Sequence, residues 1–157
     1  LQIAKYLKMW VNAVALLVLS LGILWLASAL NTLLRDILIM RLHGAMQPLI
    51  ALSVSLLVFP FVSVPAVESI VSRARSHGLR VSSELVKDYV DGCFTVFLLS
   101  VTELLLLVLY AFTHSELVAF ATVAVLISLT FSTVILMSGL WHITRLMIDV
   151  TSEVSQV

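Results

Sequence analysis

Charge is scarce in this chain. Of its 157 residues, 11% are Asp, Glu, Lys or Arg, and nine basic residues cancel nine acidic ones. A soluble domain carries about one-quarter charged residues. Nor is there a basic stripe of the kind that binds nucleic acid, so no nucleic-acid partner is expected. Cysteine is almost missing. Cys93 stands alone, which excludes an intramolecular disulfide and a thiolate metal cluster. Catalytic signatures are lacking too: no CxxC, HExxH or P-loop occurs, and no Ser-His-acid arrangement. The expectation is a non-enzyme. The four histidines, His43, His77, His114 and His142, fall near span ends rather than mid-span. Haem held by two histidines needs facing ligands at one depth, so no cofactor and no metal are expected.

What the chain has in abundance is apolar sequence, 61% of the total. One small core cannot hide that much, so a bilayer must solvate it. Leu1 in place of an initiator methionine, and a helical seam still running at Val157, point to further residues at both ends.

Four apolar stretches are long enough to span, at about 9–30, 48–67, 93–113 and 117–141. The fold class is therefore an all-α integral membrane protein with four transmembrane helices in one domain. Lys5, Lys8 and Trp10 lead into the first span at headgroup level. Residues 31–44 read as an interfacial helix or an extension of that span, ending at Gly44. Pro48 suits the first turn of the second helix. Pro60 and Pro65 should bend or interrupt it, and His77-Gly78 reads as its stop. Ser82 or Ser83 caps the third helix, with Glu84 in its first turn. The turn at His114–Glu116 is so tight that the third and fourth spans must be antiparallel neighbours.

Basic residues set the orientation. Lys5, Lys8, Arg73, Arg75, Arg80, Lys87 and Arg145 fall on one side, and Arg35 and Arg41 on the other. The richer side is expected to be cytoplasmic, with both termini there. That fits a multi-pass protein of a bacterial inner membrane. Residues 69–92 and 142–157 would form a cytoplasmic helical layer, continuing the third and fourth helices into water as an antiparallel hairpin. Arg73, Arg75 and Arg80 would contact anionic lipid or a partner.

Glu103 is the sharpest polar signal, near the middle of the third span. An ionised carboxylate there costs several kcal/mol unless it finds a partner or water, and no Lys or Arg lies at that depth. Three readings follow. Glu103 hydrogen-bonds across helices, to Ser20, Ser55, Ser128, Thr130 or Ser132. Alternatively it lines a pathway and binds a proton or cation, or it meets its own copies at an oligomer axis. On the fourth span Ala124, Ser128 and Ser132 recur every four residues. That stripe lets a helix approach closely, or is simply the packing of a tight helix pair.

The chain's last part, 117–157, holds one glycine, Gly139, and no proline. It reads as one helix of about 60 Å, twice the roughly 30 Å hydrocarbon core. Beyond the span, Leu140, Ile143, Met147, Val150, Val154 and Val157 recur at intervals of three and four, a seam that wants a partner. The partner is the stretch around Leu85 and Tyr89, a second copy of the chain, or a cytosolic protein. The motifs of small multidrug transporters, rotary proton-ring subunits and claudins are not met. The first span has no acid, glycine is sparse, and Gly139-Leu140-Trp141 lacks the paired cysteines. The expected role is an oligomeric membrane sensor or adaptor coupling the bilayer to a cytosolic partner, with a small ion channel or cation-coupled transporter using Glu103 as the alternative.

Overall fold

The structure, a computed structural model, describes residues 14–26, 29, 32–78 and 81–154. Among them the regular structure is helical throughout. There are four helices: α1 (Val14–Leu26), α2 (Thr32–Ser76), α3 (Ser83–Thr113) and α4 (Glu116–Val154). The last three are long and apolar enough to cross a membrane, which suggests a multi-pass membrane protein. Lys5, Lys8 and Trp10 lie outside the described residues.

The exterior agrees with a hydrocarbon solvent. Trp25, Phe61, Phe112, Leu117, Phe131 and Trp141 are all exposed. In water, so wide a spread of large apolar side chains would associate. In lipid the helices gain nothing from hiding them, and packing and polar contacts hold the helices together instead.

α2 departs from expectation. It runs unbroken for 45 residues, through Gly44, Pro48, Pro60 and Pro65. Residues 32–44 are thus the first turns of α2 and not a separate connection. Gly44 does not end a helix, Pro48 is not in a first turn, and Pro60 and Pro65 do not interrupt. The reason lies in the buried row, Leu42, Ser53, Pro60, Ser63, Val67, Val71 and Ala74. A break at Gly44 would throw Leu42 out of phase with the rest, and Leu42 packs with Tyr110 and Ala119. Tertiary packing outweighs the local cost of glycine and proline, about 1 and 3 kcal/mol relative to alanine.

The helix ends follow local chemistry. α2 stops where Gly78 turns left-handed, φ 82°, and gives its N–H to the Arg75 carbonyl at 3.0 Å. Glycine takes that conformation without Cβ strain. Ser82 stands at the N-cap of α3, but its hydroxyl makes no capping bond. Glu84 lies in the first turn, where a carboxylate complements the helix dipole. α3 closes on His114, also left-handed at φ 48°, whose N–H reaches the Tyr110 carbonyl at 2.9 Å. α4 begins at Glu116, so only His114 and Ser115 separate the two helices. Arg35, near the start of α2, pairs with Glu116.

The main core joins α2, α3 and α4 through Val67, Val71, Tyr89, Cys93, Val96, Leu99, Val125, Leu129, Leu136 and Ile143. Along α3 and α4 the facing residues run in opposite order. A Cβ on Gly92 would meet Leu136 at 3.0 Å, one on Gly139 would meet Tyr89 at 3.8 Å, and Tyr110 packs with Ala119. Between α2 and α3 the order is likewise reversed. Ser63 Oγ lies 3.6 Å from Cys93 Sγ, and the Phe61 and Phe97 rings meet edge-on at 5.7 Å.

Candidate functional site

Glu103 sits on α3 in a row that never leaves the interior: Tyr89, Cys93, Val96, Ser100, Glu103, Leu107 and Tyr110 are all buried. Their spacing alternates between three and four, the period of a helix packed along its whole length. Glu103 is 0% exposed within a single chain. A meeting of Glu103 copies at an oligomer axis would need an accessible carboxylate, so that reading falls.

The expected hydrogen bonds from Glu103 are not made either. Among the described residues neither Oε1 nor Oε2 has a partner. Four of its five expected partners are engaged elsewhere. Ser20 and Ser128 lie 2.9 Å apart, oxygen to oxygen. Ser20 Oγ also donates to the Leu16 carbonyl at 2.8 Å, and Ser128 Oγ is 3.0 Å from the Ala124 carbonyl. Ser55 and Thr130 are exposed and donate to the carbonyls of Ala51 and Leu126. Ser132 is buried on α4. The stripe Ala124, Ser128 and Ser132 does face inward, and at Ser128 it receives α1 through Ser20.

The reversed order of the helices brings buried polar groups into one layer. Gly92 lies against Leu136, so eight residues on along α3, and eight back along α4, Ser100 comes opposite Ser128. Ser63 lies against Cys93, so ten residues back along α2, and ten on along α3, Ser53 comes opposite Glu103. All four helices therefore contribute: Ser20, Ser53, Ser100 with Glu103, and Thr122 with Ser128, every one buried. Ser100 and Thr122 donate to the carbonyls four residues before them, Val96 and Val118. Ser53 Oγ, 0% exposed, has no hydrogen-bond partner among the described residues.

No Lys, Arg or Asp, and no other Glu, falls within 14–26, 42–67, 92–115 or 117–144. The carboxylate has no counter-charge in the layer. An ion at bilayer depth is costly without one. Hydrogen bonding does not remove that cost among the described residues, where the two oxygens make no such bond.

Ser53, Ser100 and Thr122 were not legible as site residues by type, since serine and threonine recur throughout the apolar stretches. The signal was positional. The alternating row through Tyr89, Cys93, Val96, Ser100 and Glu103 marks an inward face before any fold is known.

The other expected sites divide. Of the tail seam, Ile143 is buried in the main core, and Leu140 packs against that core, as Leu85 and Val86 do. That part is satisfied within the chain. The side chains of Met147, Val150 and Val154 lie outside those described, as does Val157. Arg73 and Arg75 are exposed in the last turn of α2, and Arg80 lies outside the described residues. The His43 and His114 rings stand 6.2 Å apart, with Tyr110 6.0 Å from His114. Among the described residues no three His, Cys, Asp or Glu side chains gather as a metal site. Comparisons with protein-family models, curated proteins and solved structures give no match.

Proposed function

We propose that this chain is a four-span membrane protein that handles a proton or small cation through Glu103. One observation carries the reading: a carboxylate at mid-bundle whose two oxygens are enclosed by a single chain and make no hydrogen bond among the described residues. A residue kept only to tie helices together would be tied. Membrane carboxylates facing a bundle interior mark ion and proton pathways. α1 supplies the first span in this reading, and α3 and α4 form a hairpin whose far ends stand in the cytoplasm.

The test is flux. The chain in liposomes under a pH gradient should dissipate it, and Glu103→Gln should slow that at least about tenfold, the loss of one general acid–base or ion-binding group. Equal rates in wild type and variant, or no flux in either, would remove the reading.

A second reading is an oligomeric sensor or adaptor with a cytosolic partner. It is favoured by the core's persistence beyond the apolar middle, where Val71, Ala74, Tyr89 and Ile143 are still buried beside Arg73 and Arg75. α2 and α4 measure about 68 and 58 Å at 1.5 Å per residue, well over a bilayer's roughly 30 Å core. Absence of flux together with a stoichiometric cytosolic protein on purification would favour it. In either reading the arginine-rich side is the cytoplasmic face of a bacterial inner membrane.

A further inference from the structure

Three enclosed oxygens, carried by two residues at one level of the bundle, are without hydrogen bonds among the described residues: Glu103 Oε1 and Oε2, and Ser53 Oγ. The two residues belong to different helices. Their shared level follows from the Ser63–Cys93 and Phe61–Phe97 contacts, counted along two helices of opposite direction. Ten residues place the pair about 15 Å from Ser63 and Cys93. Both also occupy inward rows. Ser53 is two turns from Pro60 and four from Val67, seven residues apart each time and all buried. Glu103 is seven from Val96 and ten from Cys93, again all buried.

A fourth oxygen comes from the backbone. Pro60 has no N–H, so the Leu56 carbonyl lacks the donor that a helix normally supplies from four residues on. Leu56 is one turn from Ser53 and packs against the core. A long acidic side chain on a helix leans toward the turn before it. Glu103 therefore reaches from the level of Ser53 toward that of Ser100, where α2 brings the Leu56 carbonyl, and its carboxylate falls between the two α2 oxygens.

We propose that Glu103, Ser53 and the Leu56 carbonyl form a binding site for a small monovalent cation of the sodium class, which exchanges with the proton of Glu103. The chemistry selects this ligand. The donors are all oxygen, the set that hard cations take, with no imidazole or thiolate in the polar layer to favour a transition metal. The donors carry a single negative charge. One monovalent ion leaves the site neutral, whereas a divalent ion would leave a net charge inside the bilayer, which is costly. The chain offers no basic residue of its own at this depth, so the compensating cation comes from solution. The exchange balances: Glu103 carboxylic acid and a sodium ion give the sodium carboxylate and a proton, which leaves to solvent. The inference rests on reading Glu103 as an ion-handling carboxylate and adds the identity of the ion and two of its ligands.

The experiment is a titration of the purified full chain in nanodiscs, weakly buffered, with a pH dye. Sodium chloride should release one proton per chain at saturation, and choline chloride should release none. Glu103→Gln should abolish the release. Ser53→Ala should keep it but weaken the apparent sodium affinity about tenfold, the scale of one lost bond to a charged group. Glu103→Asp keeps the charge on a shorter arm and should still release a proton at higher sodium. It serves as the test if the Gln variant fails to fold. No sodium-linked release in wild type overturns the proposal, as does release unchanged in both Glu103 variants, or a Ser53→Ala titration matching wild type. Glu103-dependent proton flux without sodium-linked release overturns the ion assignment and leaves the proposed function standing. Sodium-linked release without any flux does the reverse.

Discussion

Ser20 and Ser128 make the one hydrogen-bonded link between α1 and α4 that the described residues display. Its worth follows from the alternative open to each hydroxyl. Both already lie within reach of a carbonyl four residues back on their own helices, so losing the other serine leaves neither unsatisfied. Polar pairs between membrane helices average about 0.6 kcal/mol in double-mutant cycles. A cycle of Ser20→Ala and Ser128→Ala, followed by unfolding in mixed micelles, should return a coupling of that size. A coupling near zero would show that the close approach of the helices, not the hydrogen bond, holds α1. Glu103 is the opposite case. Among the described residues neither of its oxygens reaches a backbone carbonyl or any other partner. Its position near mid-span was readable from the sequence. Its isolation was not, because the partners open to it depend on which serines their own backbones have already engaged.

Glycine separates two meanings along α2. Gly44 is inside the helix, and a Cβ added there would meet nothing within 4 Å. Gly44→Ala should therefore raise stability by about 0.5–1 kcal/mol, the helical cost of glycine. Gly78 is as open but left-handed, at φ 82°. Gly78→Ala should lower stability by about 1 kcal/mol through Cβ strain. Thermal or denaturant midpoints of the two variants should thus move in opposite directions, and equal shifts would refute the account. The element scale is also where the sequence misled most. Gly44 followed by Pro48 resembles a stop and a start. The continuing inward row from Leu42 to Ala74 argues against a break, but it needs the neighbouring helices to be recognised as a row. The stop at Gly78 and the turn at His114 were legible, because there the local conformation and the end of the apolar pattern coincide. The tail helix was legible for the same reason: from Glu116 to Val154 nothing breaks it.

At the scale of the molecule, the two ends of the bundle differ. One end carries Arg73 and Arg75, and the other carries the Arg35–Glu116 pair with His43 and His114 nearby. The proposed orientation puts the first end in the cytoplasm. Cys93 is buried, so a membrane-impermeant maleimide should leave the folded wild-type chain unlabelled. In a Cys93→Ser background, Ser115→Cys should react from outside intact cells and Ser76→Cys only after the membrane is opened. The reverse pattern would invert the topology. The sequence gives this prediction nearly unaided, since a count of basic residues needs no coordinates.

The continuity of α2 has a mechanical consequence. Residues 42–67 carry no Asp, Glu, Lys or Arg, and as one helix they extend about 39 Å. A straight helix of that length would fit a hydrocarbon slab of roughly 30 Å when leaned about 40° from the normal, the steep end of the observed range. Were α2 broken at Gly44 or the prolines, each piece would settle independently. As one unbroken helix its parts are tied in tilt, leaning more in a thin membrane and less in a thick one. Ser53 is carried on that helix and Glu103 on its neighbour. In the proposed membrane setting, the thickness of the surrounding lipid would set the angle at which the two are offered to each other.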